Sequence, residues 1–164
     1  MLRGEISIDD PRAEDVRELL ESHLAFAKAH TPPEDVHALD TDGLLDPAVT
    51  LFSFRLEGEL LGVAALKEVD EHNAEVKSMH TAEAARGRGI ARALLDHLVE
   101  VARRRGYGRV SLETGSMDAF AAARSLYARA GFEPCGPFGD YSQSRNSTFM
   151  TLPLPGPGSP RLSG

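Results

Sequence analysis

A glycine-punctuated turn that runs straight into an amphipathic helix constrains this chain more than any other feature. Within EVKSMHTAEAARGRGIARALLDHLVEVARRR (residues 75–105), residues 74–80 read as a strand and 81–85 as a polar turn. Arg86-Gly87-Arg88-Gly89-Ile90-Ala91 then opens the helix. At about 3.6 residues per turn, Ile90, Ala91, Leu94, Leu95, Leu98, Val101 and Ala102 fall on one side, with Arg92, Asp96, Glu100 and Arg103 opposite. Glu100 can support Arg104 one turn on. The first-turn N–H groups of such a helix lack acceptors, and glycine supplies the backbone angles that aim successive N–H groups inward. With the helix dipole and the arginines at 86, 88 and 92, the turn suits a compact anion such as a phosphate or pyrophosphate. It is not a dinucleotide fingerprint, which needs Gly or Ala where Arg92 stands. Nor is it a P-loop, which needs a Gly-Lys-Ser/Thr ending.

The rest of the chain limits the partners. With 164 residues the length fits a single domain with a proper core. The net charge of −7 argues against nucleic acid as a general partner, and Arg103-Arg104-Arg105 reads as a solvated helix end. No apolar run reaches the ~18–20 residues of a membrane span, and the N-terminus lacks the apolar core of a signal peptide. The single cysteine, Cys135, excludes an intrachain disulfide and a multi-cysteine metal site. No metal and no membrane partner are expected, and the reading is of a cytoplasmic protein. Whether two copies pair as a homodimer is left open.

In chain order, residues 4–8 read as a strand and 13–29 as a helix carrying Val16, Leu19, Leu20, His23 and Leu24 on one side. Pro32-Pro33 ends that helix. A second helical piece is expected over 34–45, a stretch rich in acids (Glu34, Asp35, Asp40, Asp42) that also contains His37. Residues 49–56, 60–69 and 74–80 form an antiparallel meander that delivers the chain to the glycine loop. After Gly106, residues 109–113 read as a strand. A helical crossover joins it to 74–80, so the two should lie parallel. A helix over 118–130 carries Phe120, Ala123, Leu126, Tyr127 and Ala130 inward and stops at Gly131. Strands over 132–135 and 147–152 follow, joined by a polar loop at 136–146. Residues 153–164, rich in Pro, Gly and Ser, are expected to be a disordered tail. The fold class is therefore α/β of the α+β kind: a mixed, mostly antiparallel sheet with helices on both faces, within a domain spanning 1–152.

Arg86-x-x-Gly89-x-Ala91 resembles the Gln/Arg-x-x-Gly-x-Gly/Ala signature of the GCN5-related N-acetyltransferases (GNAT). Leu126-Tyr127-Ala128-Arg129-Ala130-Gly131-Phe132 is similar to that family's Leu-Tyr-x-x-x-Gly-Phe segment. The element order agrees over nearly all of 1–152. The resemblance implies an enzyme that takes acetyl-coenzyme A as cosubstrate, its pyrophosphate on residues 86–91 (Arg86, Gly87, Arg88, Gly89, Ile90, Ala91). Its pantetheine would lie between the 74–80 and 109–113 strands, aligned by backbone near Met79, His80 and Thr81. One departure stands out: Phe120 occupies the place where many members carry a cofactor-contacting Asn, seven residues before the tyrosine.

Acetyl transfer to an amine needs a base or water chain for the amine's proton, a donor for the developing oxyanion and a proton for the departing thiolate. The resemblance makes Tyr127 the proton donor, and a phenol with a reference pKa of about 10 is protonated at neutral pH. Glu75 matches the strand position of a catalytic glutamate in some members. Glu113 at the end of the next strand competes with it, and Glu68 is a weaker third. By the period-two rule Glu75, Lys77 and Met79 share one face, with His80 on the other. The acceptor is read as a primary amine of a small molecule, drawn by the acids of 34–42, Glu75, Glu113 and Asp140. A protein N-terminus or lysine, and a non-catalytic acyl-coenzyme A sensor, are the alternatives.

Overall fold

The computed structural model describes residues 4–155. Seven strands form one sheet: β1 (Glu5–Ile8), β2 (Val49–Leu56), β3 (Glu59–Glu68), β4 (Asn73–Thr81), β5 (Arg109–Gly115), β6 (Glu133–Cys135) and β7 (Ser147–Pro153). Their spatial order is β1-β2-β3-β4-β5-β7-β6, and every neighbouring pair is antiparallel except β4–β5. The helices are α1 (Glu14–His30), α2 (Thr41–Leu44), α3 (Ile90–Arg104) and α4 (Ala121–Arg129). This is the mixed sheet with helices on both faces that the pattern predicts.

Two apolar layers hold the helices to the sheet. On one face Val16 and Leu20 of α1 and Leu44 of α2 pack on Leu51, Val63 and Ala65. On the other, the buried stripe of α3 (Ile90, Leu94, Leu95, Leu98, Val101, Ala102) meets Ala64, Leu66, Val76, Val110 and Leu112, and Tyr127 of α4 joins that layer. Gly62 lets α3 approach closely, since a Cβ there would lie 2.9 Å from Ile90 Cγ2. Glu100 reaches Arg104 at 3.8 Å, the expected one-turn pair.

Three expectations change. Residues 34–45 are not one helix. A 3₁₀ turn at Pro33–Asp35 and the four-residue α2, capped by Asp40 Oδ1 accepting from Gly43 N (2.8 Å), are separated by extended chain. Too few apolar residues recur at helical spacing there to hold a longer helix to the sheet. Second, the packed chain runs past residue 152: Pro153 ends β7, and Leu154 is buried, its N–H donating to Gly108 O at 2.9 Å. The remainder of the expected tail, 156–164, lies outside the described residues.

The third change concerns β4. Ala65 pairs with Lys77, yet Val63 pairs with His80, so an extra residue sits between them. That bulge centres on Ser78, whose φ of 54° is in the left-handed region. The alternation slips by one. Glu75, Lys77 and His80 all face α1, while Met79 turns to the α3 and α4 layer. The expected sharing of one face by Glu75, Lys77 and Met79 is thereby corrected, as is the placing of His80 opposite Glu75.

Candidate active site

The parallel strands β4 and β5 pair only through Asn73–Arg109, Ala74–Val110 and Glu75–Ser111. Beyond that point they part, and a cleft of about 680 Å³ opens between them and continues to the start of α3. At the α3 end its wall is Arg86, Gly87, Gly89, Ile90, Ala91 and Arg92. Gly87 and Gly89 have φ of 78° and 81°, and a Cβ on either would meet nothing within 4 Å. Their conformation, not crowding, is what calls for glycine. The first backbone bond of α3 runs from Ala93 N to Gly89 O (3.1 Å), leaving the N–H groups of Ile90, Ala91 and Arg92 without helical acceptors. Free N–H groups, a helix N-terminus and two flanking guanidiniums form a donor set that fits a pyrophosphate. Arg88 is exposed and does not line the cleft.

The middle of the cleft is formed by Met79, His80 and Thr81 of β4 with Leu126 and Tyr127 of α4. Gly131, with φ of 100°, closes α4 and returns Phe132 N–H to Tyr127 O (3.1 Å), which packs Phe132 beside the tyrosine ring. Tyr127 is buried and its hydroxyl donates only weakly, to Met79 Sδ at 3.8 Å. Burial, and then the charge of Glu113, push its pKa up to about 12, so it holds its proton throughout the physiological range. Phe120 packs edge-on against Phe26 of α1 at 5.4 Å and lies so close to Gly115 that a Cβ there would come within 2.3 Å of the ring. It bridges the two layers at the end of the cleft.

The two carboxylates singled out from sequence part company. Glu113 lines the cleft. Burial raises its pKa; the Ser147 hydroxyl, His37 and Lys77 oppose that, and Glu75 adds a smaller push upward. Glu75 is buried behind the wall: its carboxylate accepts from the Tyr141 hydroxyl and lies 3.5 Å from Lys77 Nζ. Lys77 also donates to Tyr141 Oη (2.8 Å) and to His37 O (3.0 Å). Glu68 is drawn off to Tyr107, whose hydroxyl donates to it at 3.0 Å.

A further part of the cleft wall is formed by Thr31, Asp35, His37 and Ala38. The 136–146 loop braces that wall from behind. Asp35 Oδ2 accepts from Ser144 Oγ (2.9 Å) and Asn146 Nδ2 (3.0 Å), and the His37 ring stands edge-on to Tyr141 at 4.9 Å. Sequence reasoning missed Tyr141; its signal is an aromatic residue stranded in a polar, glycine-containing loop.

A family model described as Acetyltransferase (GNAT) family matches residues 13–132. The chain belongs to the GNAT acetyltransferase family. An uncharacterized N-acetyltransferase, YsnE of Bacillus subtilis, is 44% identical over 91% of this chain and 99% of its own. An IAA acetyltransferase of Azospirillum brasilense is 33% identical over 91% of this chain and 97% of its own. Among solved structures, one from Klebsiella pneumoniae assigned to the acyl-CoA N-acyltransferases superposes with a TM-score of 0.77. It is 26% identical, over 94% of this chain and 99% of the other. This GNAT protein is thus an N-acetyltransferase by family and by fold.

Proposed function

We propose that this N-acetyltransferase uses acetyl-coenzyme A to acetylate a primary amine on a small molecule, by direct attack of the amine on the thioester. The observation that carries the reading is the braced wall at the acceptor end. Asp35 and His37 are tied through Ser144, Asn146 and Tyr141 to the 136–146 loop, so the two segments hold the wall as one unit. Once the pantetheine arm occupies its share of about 680 Å³, the remaining room suits a small acceptor.

Within this reading each residue has a task. The α3 N-terminus with Arg86 and Arg92 binds the pyrophosphate of the donor. Backbone at Met79, His80 and Thr81 aligns the arm. Tyr127 keeps a proton for the departing sulfur. Glu113, on the cleft, attracts the acceptor ammonium, while Glu75 acts at one remove by anchoring Lys77 and Tyr141. Thiol release from acetyl-coenzyme A against polyamines, amino sugars, amino-acid derivatives and lysine- or N-terminal-amine peptides tests the proposal. Turnover is expected on a small amine. Peptides acetylated faster than every small amine would overturn it in favour of a protein acceptor.

A further inference from the structure

Resting on that reading, an amine acceptor reaches the enzyme as an ammonium and has to lose a proton before its nitrogen can attack. Two histidines 57 residues apart meet beside the cleft: His23 of α1 and His80 of β4 approach Nδ1 to Nδ1 at 3.3 Å, with ring centroids 5.1 Å apart. At that distance one Nδ1 carries a hydrogen and the other accepts it. The Nε2 atoms have no hydrogen-bond partner among the described residues, and neither is sealed from solvent. His80 owes its position to the bulge at Ser78, a non-glycine residue held at φ 54°. Backbone strain of this kind persists where the surrounding structure enforces it, and it gathers at functional sites. His80 also borders a second cavity, of about 650 Å³, on the α1 side; His23 borders only the cleft.

We propose that His23 and His80 form a proton-sharing pair that takes the acceptor's ammonium proton out of the cleft and releases it into the second cavity. An ammonium N–H bond breaks as His23 Nε2–H forms. The shared hydrogen crosses from His23 Nδ1 to His80 Nδ1, and the His80 Nε2 proton leaves to water. The amine's lone pair then forms the new C–N bond. Its second proton balances the one Tyr127 gives the thiolate, so each transfer releases one proton; exchange with water resets the tautomers between turnovers.

The charges around the pair suit this traffic. Lys77 of β4 and Arg86 of the glycine loop act on it, and His37 and Glu113 line the same cleft. Burial, then the neighbouring His80 and Lys77, hold His23 at about 4; burial and Arg86 hold His80 at about 4. The pair is therefore uncharged at neutral pH, so a proton can pass along it only by entering at one ring as another leaves the second. Asp15, Glu18, Glu59 and Glu83 line the second cavity, where they favour a departing proton.

Two measurements test the pair. In ¹⁵N-histidine-labelled protein at pH 7, one ring should carry its hydrogen on Nδ1 and the other on Nε2. Two rings both hydrogenated on Nε2 would overturn the proposal. With acetyl-coenzyme A and the probe amines ethylamine and 2,2,2-trifluoroethylamine, the second already neutral at pH 7, His23→Phe keeps a ring on α1 and removes both nitrogens. It should lower kcat/KM for ethylamine by about 100-fold or more, and for the neutral amine by less than about tenfold. Equal losses on both amines would make the pair structural and the proposal wrong. Acetyl-coenzyme A affinity reports that the variant is folded, and His23→Asn replaces it if it is not. If the parent enzyme acetylates neither amine, the tautomer measurement alone decides the pair, and the wider amine panel decides the small-acceptor reading.

Discussion

Replacing Tyr141 with phenylalanine removes a single oxygen from the most connected polar cluster beside the cleft. That oxygen donates to Glu75 and accepts from Lys77, whose side chains are 4% and 9% exposed. The phenyl ring keeps its contacts with His37, Phe138 and Phe149, at centroid distances of 4.9, 5.1 and 5.5 Å, so the change is confined to hydrogen bonding. Hydrogen bonds to charged groups are worth about 1.5–3 kcal/mol each, and water has little access to replace either. Lys77 and Glu75 are already 3.5 Å apart and can close directly on one another, which recovers part of the loss. The net destabilisation should be about 3 kcal/mol. For a chain of this length that corresponds to a fall in Tm of about 6–12 °C by differential scanning calorimetry. Tyr107→Phe provides the control: its hydroxyl also donates to a carboxylate, Glu68, but in an exposed setting, and it should cost about 0.5 kcal/mol or less. Equal Tm values for Tyr141→Phe and Tyr107→Phe would refute the claim that the buried cluster braces the acceptor wall.

Gly89→Asp puts a side chain and a negative charge on a residue at φ 81° facing the expected pyrophosphate, so acetyl-coenzyme A affinity by calorimetry should fall by orders of magnitude with the far-ultraviolet circular dichroism unchanged. Tyr127→Phe keeps the packing ring and should lower kcat by roughly 10²–10⁴-fold. A parental kcat would leave Tyr127 a core residue only. Glu113 has its pKa raised in the folded state, so its favourable contribution is complete below its unfolded pKa and is lost as pH rises through the folded value. Glu113→Gln should therefore melt at a higher temperature than the parent at pH 7, and the gap should close below about pH 4; a lower Tm at pH 7 would contradict the assignment.

Much of the fold was legible because its signals are local. The α3 stripe, the glycine loop, the β2–β3 turn and the Gly131 stop each depend on residues within a few positions, and all lie where the pattern puts them. The 34–45 stretch was misread because its acids and short apolar spacing allow a helix that tertiary contacts do not support. Leu39 and Leu44 tuck under α1, and Asp40 caps one turn only. The site was harder to read. Tyr141 meets Glu75 across 66 residues, and His23 meets His80 across 57; no window along the chain contains either pair. Glu75 looked available because its strand position says nothing about the loop that later covers it.

The extra residue at Ser78 makes the length of β4, and not only its composition, part of the chemistry. Straightening β4 with Ser78 kept as an ordinary paired residue would leave a strand of acceptable β-formers, yet it would hand the outlook of His80 to Met79 and swing the imidazole toward α3. A substitution in this strand changes one group, whereas a one-residue slip of register trades the contents of its two sides. Relatives aligned through β4 without regard to that one-residue step would have the wrong side chains equated from here to the glycine loop.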